Sequence, residues 1–270
     1  MEILEVYNNN YKLIQSIYSS RLKIQILLAL ASGDKILSDL REVTGSTSQA
    51  LIPKIRSLER LSLIQAFEHG YTLTSLGKIA ISKIEDFILT ISELNKHRDF
   101  WNGHDIDGIP SPFLSEIGDL LNSEVMFDTP NNIFHIYSHY LEMLKEARYI
   151  YGISYVMSPM LAESFAERVV AGIPVELIVS RAVAETLKQE PFVSQIGQLK
   201  TFPNFQIWVT DELLKVGITV TDKYLSFGLN KREIEVYDSS SDLTSFDPRA
   251  LDWARRLFGY YKERSVVLTL

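Results

Sequence analysis

The chain has 270 residues, enough for two domains, and its 46% hydrophobic and 23% charged content excludes a disordered or fibrous class. It has no cysteine, which excludes disulfides, thiol redox chemistry and cysteine-based zinc sites, and fits a cytoplasmic setting. The net charge of −7 is uneven: residues 1–98 carry 12 Lys+Arg against 10 Asp+Glu, and residues 99–270 carry 15 against 24.

The opening "MEILEVYNNNYKL" lacks the basic start and apolar core of a signal peptide. No apolar run approaches the ~20 residues that a membrane span needs. Ser20 stands where it can cap a helix over "RLKIQILLALASG", with Leu22, Ile26, Leu27 and Leu30 at helical spacing and Gly33 at its end. "ILSDLREVTG" gives a second helix with Leu37, Leu40 and Val43 on one face. A third begins at "STSQ", where Ser46 and Gln49 have capping-box spacing and Leu51, Ile55 and Leu58 form the apolar stripe. Pro53 either kinks this helix or marks where its regular part starts. Two short helices about a Gly turn form a helix-turn-helix pattern. "LIQAFEHGYTLT" then gives a hairpin about His69-Gly70, and a long helix follows from near Thr74.

This stretch, "SSRLKIQILLAL…LSDLREVTGSTSQALIPKIRSLERLSLIQAFEHGYTLTSLG", resembles the winged-helix transcription regulators of the arsenic-repressor-like superfamily over about residues 11–96. The resemblance implies DNA binding, and the basic balance of residues 20–83, nine Lys+Arg against five Asp+Glu, agrees with it. The third helix is expected in the major groove, with double-stranded promoter or operator DNA as the partner. Ser46, Thr47, Ser48 and Gln49 are the expected base readers, and Lys54 and Arg56 the expected phosphate contacts. Lys23, Lys35 and the wing residues His69 and Tyr71 are further candidates for backbone contacts. In the long helix, Ala80, Ile84, Phe87, Ile91 and Leu94 are heptad-like. They fit either packing on the wing or a homodimer seam, and the dimer is the preferred reading because such regulators bind two half-sites.

After Asn95 the pattern changes. "FWNGHDIDGIPSPF", with two glycines and two prolines, is expected to follow a fixed, non-helical path as a hinge over residues 97–111. Its Asp105 and Asp107 read as turn or capping residues rather than acid–base partners. Beyond it, helices at "SPFLSEIGDLLNS", "NIFHIYSHYLEMLKEA" and "PMLAESFAERVVAG" alternate with strands at "EVMFD", "RYIYGISYV" and "IPVELIVS", which argues for an α/β layer with parallel pairing. "NFQIWVTD", "KVGITVTDKYLSFGLN" and "EIEVYD" read as antiparallel strands. "DPRALDWARRLFGYYKERS" closes the chain as a helix capped by Asp247, with Pro248 at its first position.

This half resembles the sensory domain behind archaeal winged helices in methanogenesis and filament-formation regulators. The residues that carry the likeness are "FWNGHDIDGIPSPFLSEIGDLL", "ISYVMSPMLAESFAERVVAGIPVELIVS", "VTDKYLSFGL" and "ALDWARRLFGYYKERS". That domain is similar in outline to one half of the phospholipase D fold. Phospholipase D chemistry needs His-x-Lys, yet the residues two beyond His69, His97, His104, His135 and His139 are Tyr71, Asp99, Ile106, Tyr137 and Leu141, so no catalytic residue is assigned. His135 and His139 have metal-pair spacing but lack a third ligand, so no metal or other cofactor is expected. A small-molecule effector site is expected from aromatic walls and polar handles at Trp101, His104, Tyr155, Ser158 and Trp253. The fold expected is α+β: a winged helix-turn-helix over 1–96, a hinge over 97–111 and a non-catalytic α/β sensory or dimerisation domain over 112–270. The function expected is that of a DNA-binding transcription regulator. The alternatives are a protein-interaction module with the winged helix as scaffold, and an unrecognised phospholipase D-like hydrolase.

Overall fold

Helical periodicity in the first ninety residues is realised as helices packed about a small apolar core. The computed structural model describes residues 2–129, 131, 134–155 and 159–269, and the chain divides into two units at Ile88–Leu89. In the first unit α1 (Ile3–Tyr18) precedes α2 (Arg21–Ala31) and α3 (Leu37–Thr44), and Gly45, at φ 63°, ends α3. The next helix, α4 (Ser48–Arg60), buries Leu51, Ile55 and Leu58 against Ile26, Leu27, Leu30 and Leu40. Strands β1 (Ile64–Phe67) and β2 (Gly70–Leu73) pair antiparallel as the wing, and Lys35 bridges to Tyr71 as a third short rung.

Two local expectations shift. The cap of α4 is Thr47 rather than Ser46, its hydroxyl accepting from the Ala50 amide at 3.3 Å. Pro53 lies inside the helix, on its exposed side, and does not start it. Its missing N–H leaves only the Gln49 carbonyl without a helical partner, a loss that the buried stripe outweighs. The following helix, α5 (Ser75–Lys96), begins where the Thr74 hydroxyl accepts from the Gly77 amide at 3.0 Å. Of its heptad-like residues, Ala80 and Ile84 pack on the winged core, whereas Phe87, Ile91 and Leu94 are exposed.

The second unit takes in the end of α5 and the segment expected as a hinge. That segment is not wholly non-helical: it contains α6 (Arg98–Gly103). Phe100, Trp101 and Ile109 belong to this unit's core, so the segment is built into the body. Next come α7 (Ser111–Ser115), a 3-10 turn at Ile117–Leu120, β3 (Glu124–Phe127), α8 (His135–Glu146) and β4 (Ile150–Ser154). The chain continues through α9 (Pro159–Val170), β5 (Val175–Ser180), α10 (Arg181–Leu187), α11 (Phe192–Leu199), β6 (Phe205–Thr210), β7 (Val216–Val220), β8 (Leu225–Leu229) and β9 (Ser241–Ser245). It closes with α12 (Pro248–Lys262) and β10 (Ser265–Val267).

Among the described residues these strands form one eight-stranded sheet of order β10-β6-β5-β4-β7-β8-β9-β3. The β4, β5 and β6 strands are parallel, so "NFQIWVTD" joins the parallel group instead of the antiparallel one. Its crossover helices, α10 and α11, carry it back beside β5. One face of the sheet, with Ile153, Ile218, Phe227 and Leu243, packs on Trp253 and Leu257 of α12. The other packs Ile150, Val175, Val179 and Ile207 under α8 to α11. "EIEVYD" is not a strand; it joins the partner edge only through the Asn230–Tyr237 bridge. The strand that follows β8 is instead the polar "SDLTS".

Candidate functional site

The first unit presents the N-terminal turn of α4 to solvent. Thr47 and Gln49 are exposed, and Ser46 and Ser48 are half-buried. The Thr47 hydroxyl serves the cap, so Gln49 is the freest of the four to meet a base edge. Arg56 is exposed and paired with Glu59 at 3.0 Å, a surface pair weak enough for a phosphate to displace. Burial, then the charges of Lys54 and Arg60, push the Lys23 ammonium below its ordinary value, so these three cations share one region. Lys23 itself is buried, its Nζ donating to the Ser16 carbonyl and hydroxyl at 2.8 Å each. It ties α1 to α2 and is not free to meet a phosphate. Arg60 is exposed at the end of the same helix, four residues from Arg56, a spacing visible in the sequence. His69 is exposed at the wing tip, while Tyr71 is half-buried against the winged core.

Of the five residues expected to line an effector pocket, the four described ones are held in packing or hydrogen-bonded contacts of the second unit. Trp253 is fully buried, donates its indole N–H to the Phe113 carbonyl at 3.1 Å and stacks edge-on with Phe113 and Phe227. Trp101 is buried on the same core and donates to Glu93 Oε1 at 3.1 Å. Both indoles are packing residues with satisfied N–H groups. His104 is buried, with Nδ1 2.6 Å from the Phe100 carbonyl and Nε2 3.1 Å from Asp238 Oδ2. Burial alone would raise Asp238, but donors from Ser240, Ser241 and Lys231 hold it well below the usual carboxylate range. This pair fastens the 97–111 segment to the segment after β8. Tyr155 donates to Asn230 Oδ1 and meets Tyr237 edge-on at 5.8 Å. Ser158 lies outside the described residues. His139, half of the metal-pair spacing, packs edge-on against Tyr224 at 5.6 Å.

A different polar site lies on the central strands. Register places Gly152, Gly217, Thr219, Ser226 and Gly228 on the face opposite α12, with Gly217 across from Gly228 and Thr219 across from both Gly152 and Ser226. Asp242 of β9 lies on this face too, accepting from the Ser226 hydroxyl at 2.7 Å. Tyr237 lies over the two facing glycines; a Cβ at Gly228 would collide with its hydroxyl. Tyr140 of α8 is hydrogen-bonded to Thr219 at 3.0 Å. Asp242 is 3% exposed, and its Oδ1 has no hydrogen-bond partner. Burial pushes its pKa up to about 7, against the pull of Ser226 and the Phe227 amide. The signal was present in the alternation "VGITV", "LSFGL" and "SDLTS", where every second residue is Gly, Ser, Thr or Asp. A solvated strand face usually carries longer side chains; small residues mark close approach by another group.

Family models match both units: residues 11–92 match the N-terminal domain, and residues 133–264 the middle domain, of the methanogenesis regulatory protein FilR1. Both matched models describe domains of one regulatory protein, FilR1. The N-terminal FilR1 match takes in α2 to β2 and most of α5, and the middle-domain match contains α8 through the whole of α12. A methanogenesis regulatory protein FilR1 from Methanothrix harundinacea (strain 6Ac) is 29% identical over 257 residues, covering 94% of this chain. The chain spans 57% of that relative's length. Among solved structures, the archaeal chromatin protein TrmBL2 superposes with a TM-score of 0.43 at 16% identity, covering 94% of this chain and 97% of that one. A phosphatidylserine synthase from Haemophilus influenzae Rd KW20 gives 0.37 at 14% identity, over 54% of this chain and 39% of that one. Both superpositions are too loose to carry an argument.

Proposed function

We propose that this chain is a DNA-binding transcription regulator whose second unit senses a small molecule and shifts operator affinity. The observation that carries the reading is the solvent-facing start of α4, with Gln49 exposed and Lys54, Arg56 and Arg60 along the same helix. Such a helix reads bases with its first turn and fixes register through phosphates. The regulatory name of the matched family supports the reading over the hydrolase alternative. We assign no catalytic residue and no cofactor, and take the protein to act in the cytoplasm.

A homodimer completes the proposal. Helix α1 buries no residue, and Ile3 and Leu4 are 81% and 62% exposed, with Tyr7 and Tyr11 further along it. A 16-residue helix that keeps so many apolar side chains in water is suited to pairing with its copy. Effector binding would favour one arrangement of the dimer and so alter the spacing of two α4 helices.

The test is fluorescence anisotropy of the chain with DNA from its own promoter region, at rising salt. Phosphate-led binding weakens steeply with salt. Binding that ignores salt, or no binding to any promoter fragment, refutes the DNA reading.

A further inference from the structure

We infer that the polar sheet face around Asp242 is a binding site for a small organic ammonium ion. This deepens the sensor reading by naming the chemistry the second unit would recognise. The site has one charged group, a carboxylate 3% exposed, with one oxygen held by Ser226 and the other without a partner. A buried acceptor left without a donor is costly, so the site favours a ligand that supplies an N–H donor. Among the described residues, no Lys, Arg or His forms an ion pair with Asp242 to compete for that oxygen. An ammonium ligand would therefore compete with the proton that burial favours on this carboxyl.

The walls suit the same chemistry. Tyr140, Tyr224 and Tyr237 all lie within electrostatic reach of Asp242. Their rings offer π faces, which attract an ammonium more than a neutral group of equal size. Tyr140 and Tyr237 remain part-exposed while Asp242 beneath them is buried, so the carboxylate is reached past two phenol rings. Gly217 and Gly228 let the Tyr237 ring pack directly on the sheet: a Cβ at Gly217 would stand 3.2 Å from that ring and one at Gly228 2.3 Å from its hydroxyl. Thr219 and the Tyr140 hydroxyl add a polar handle for a second donor or acceptor.

The experiment is calorimetric titration of the full chain with ethylammonium, guanidinium, 1-propanol and acetate, paired with promoter anisotropy on the same samples. The expected result is saturable binding of ethylammonium or guanidinium, at least 10-fold tighter than propanol or acetate. Asp242→Asn is expected to lose at least 10-fold of that affinity while its circular dichroism melt stays cooperative. If Asp242→Asn does not fold, Tyr237→Leu serves in its place, because it removes a π face without touching the carboxylate. No binding by any probe, equal binding of the neutral probe, or unchanged affinity in the folded variant overturns the inference. Promoter binding is read separately: its presence with a failed titration sinks the ammonium site alone, and its absence with a successful one sinks the DNA reading alone.

Discussion

Glu93 and Asp242 are carboxyls that folding takes out of water. Burial raises each to about 7, from ordinary values near 4. A group raised in this way binds a proton on folding. Its stabilising contribution is whole below about pH 4 and is lost as pH climbs through about 7. Each group therefore lowers stability by up to about 1.4 kcal/mol per pH unit across that window. Urea unfolding at steps between pH 4.5 and pH 8 is expected to show the decline, with a shallower slope in Glu93→Gln and in Asp242→Asn. Equal slopes in all three proteins contradict the assignment. Asp238 works in the opposite sense, since its lowered pKa supplies stability that is lost only as pH falls below the ordinary carboxylate range. Among the described residues Trp101 is the donor to Glu93 Oε1, and Glu93 Oε2 has no hydrogen-bond partner, with His97 Nε2 3.8 Å away. Trp101→Phe keeps most of the packing but strands the first oxygen, and should cost about 1–3 kcal/mol in chemical denaturation. A loss below a few tenths would mean that Glu93 is already neutral and indifferent to its donor.

At the scale of elements, the wing and the start of α5 are pinned by a close approach. A Cβ at Gly77 would run into the Leu63 carbonyl, which also accepts from the Thr74 amide at 3.0 Å. Gly77→Ala must push β1 from the helix, and should lower the first unit's stability by about 2 kcal/mol or more. Scanning calorimetry would show the first unit melting earlier; an unchanged melt would mean that the wing yields freely. For α4, removing Lys54 and Arg60 together should weaken binding to every DNA sequence and reduce the slope of log K against log salt by about 2. Gln49→Ala should instead change sequence preference with little change in that slope. If the two kinds of variant exchanged signatures, the division between readers and anchors along α4 would be wrong.

At the scale of the whole molecule, the exposed apolar face of α1 makes association the expected state. Leu4→Glu with Tyr11→Glu places charge on that face without touching the Lys23–Ser16 tie. Light scattering should report a monomer for this pair of substitutions and a dimer for the parent chain. Promoter affinity should fall in parallel, since one α4 then reads one half-site. A double variant that stays dimeric would move the interface elsewhere, with Phe87, Ile91 and Leu94 of α5 the next exposed apolar row. No helix among the described residues is long and apolar enough to cross a membrane, so that row and α1 are not spans.

The amino-acid sequence alone determined the winged unit almost element by element. Its contacts are local, and period, caps and glycines state them directly: Leu51, Ile55 and Leu58 can only be one face of a helix, and "EHGY" can only turn. The same local logic found α12 from Asp247 and Pro248, and ruled out the His-x-Lys chemistry. What tertiary structure decided was everything that depends on partners distant in the chain. Indoles at Trp101 and Trp253 read equally as pocket walls or core until Phe227 and Phe113 are seen beside them. The 97–111 segment reads as a non-helical hinge because its further anchors, Asp238 and Phe227, lie more than a hundred residues away. "SDLTS" has no apolar run to announce a strand, yet it is buried, because β8 and β3 satisfy its backbone and Ser226 takes one oxygen of Asp242. The polar face of β7, β8 and β9 exists only once those strands are in register, since no single segment holds enough of it to be read as a site.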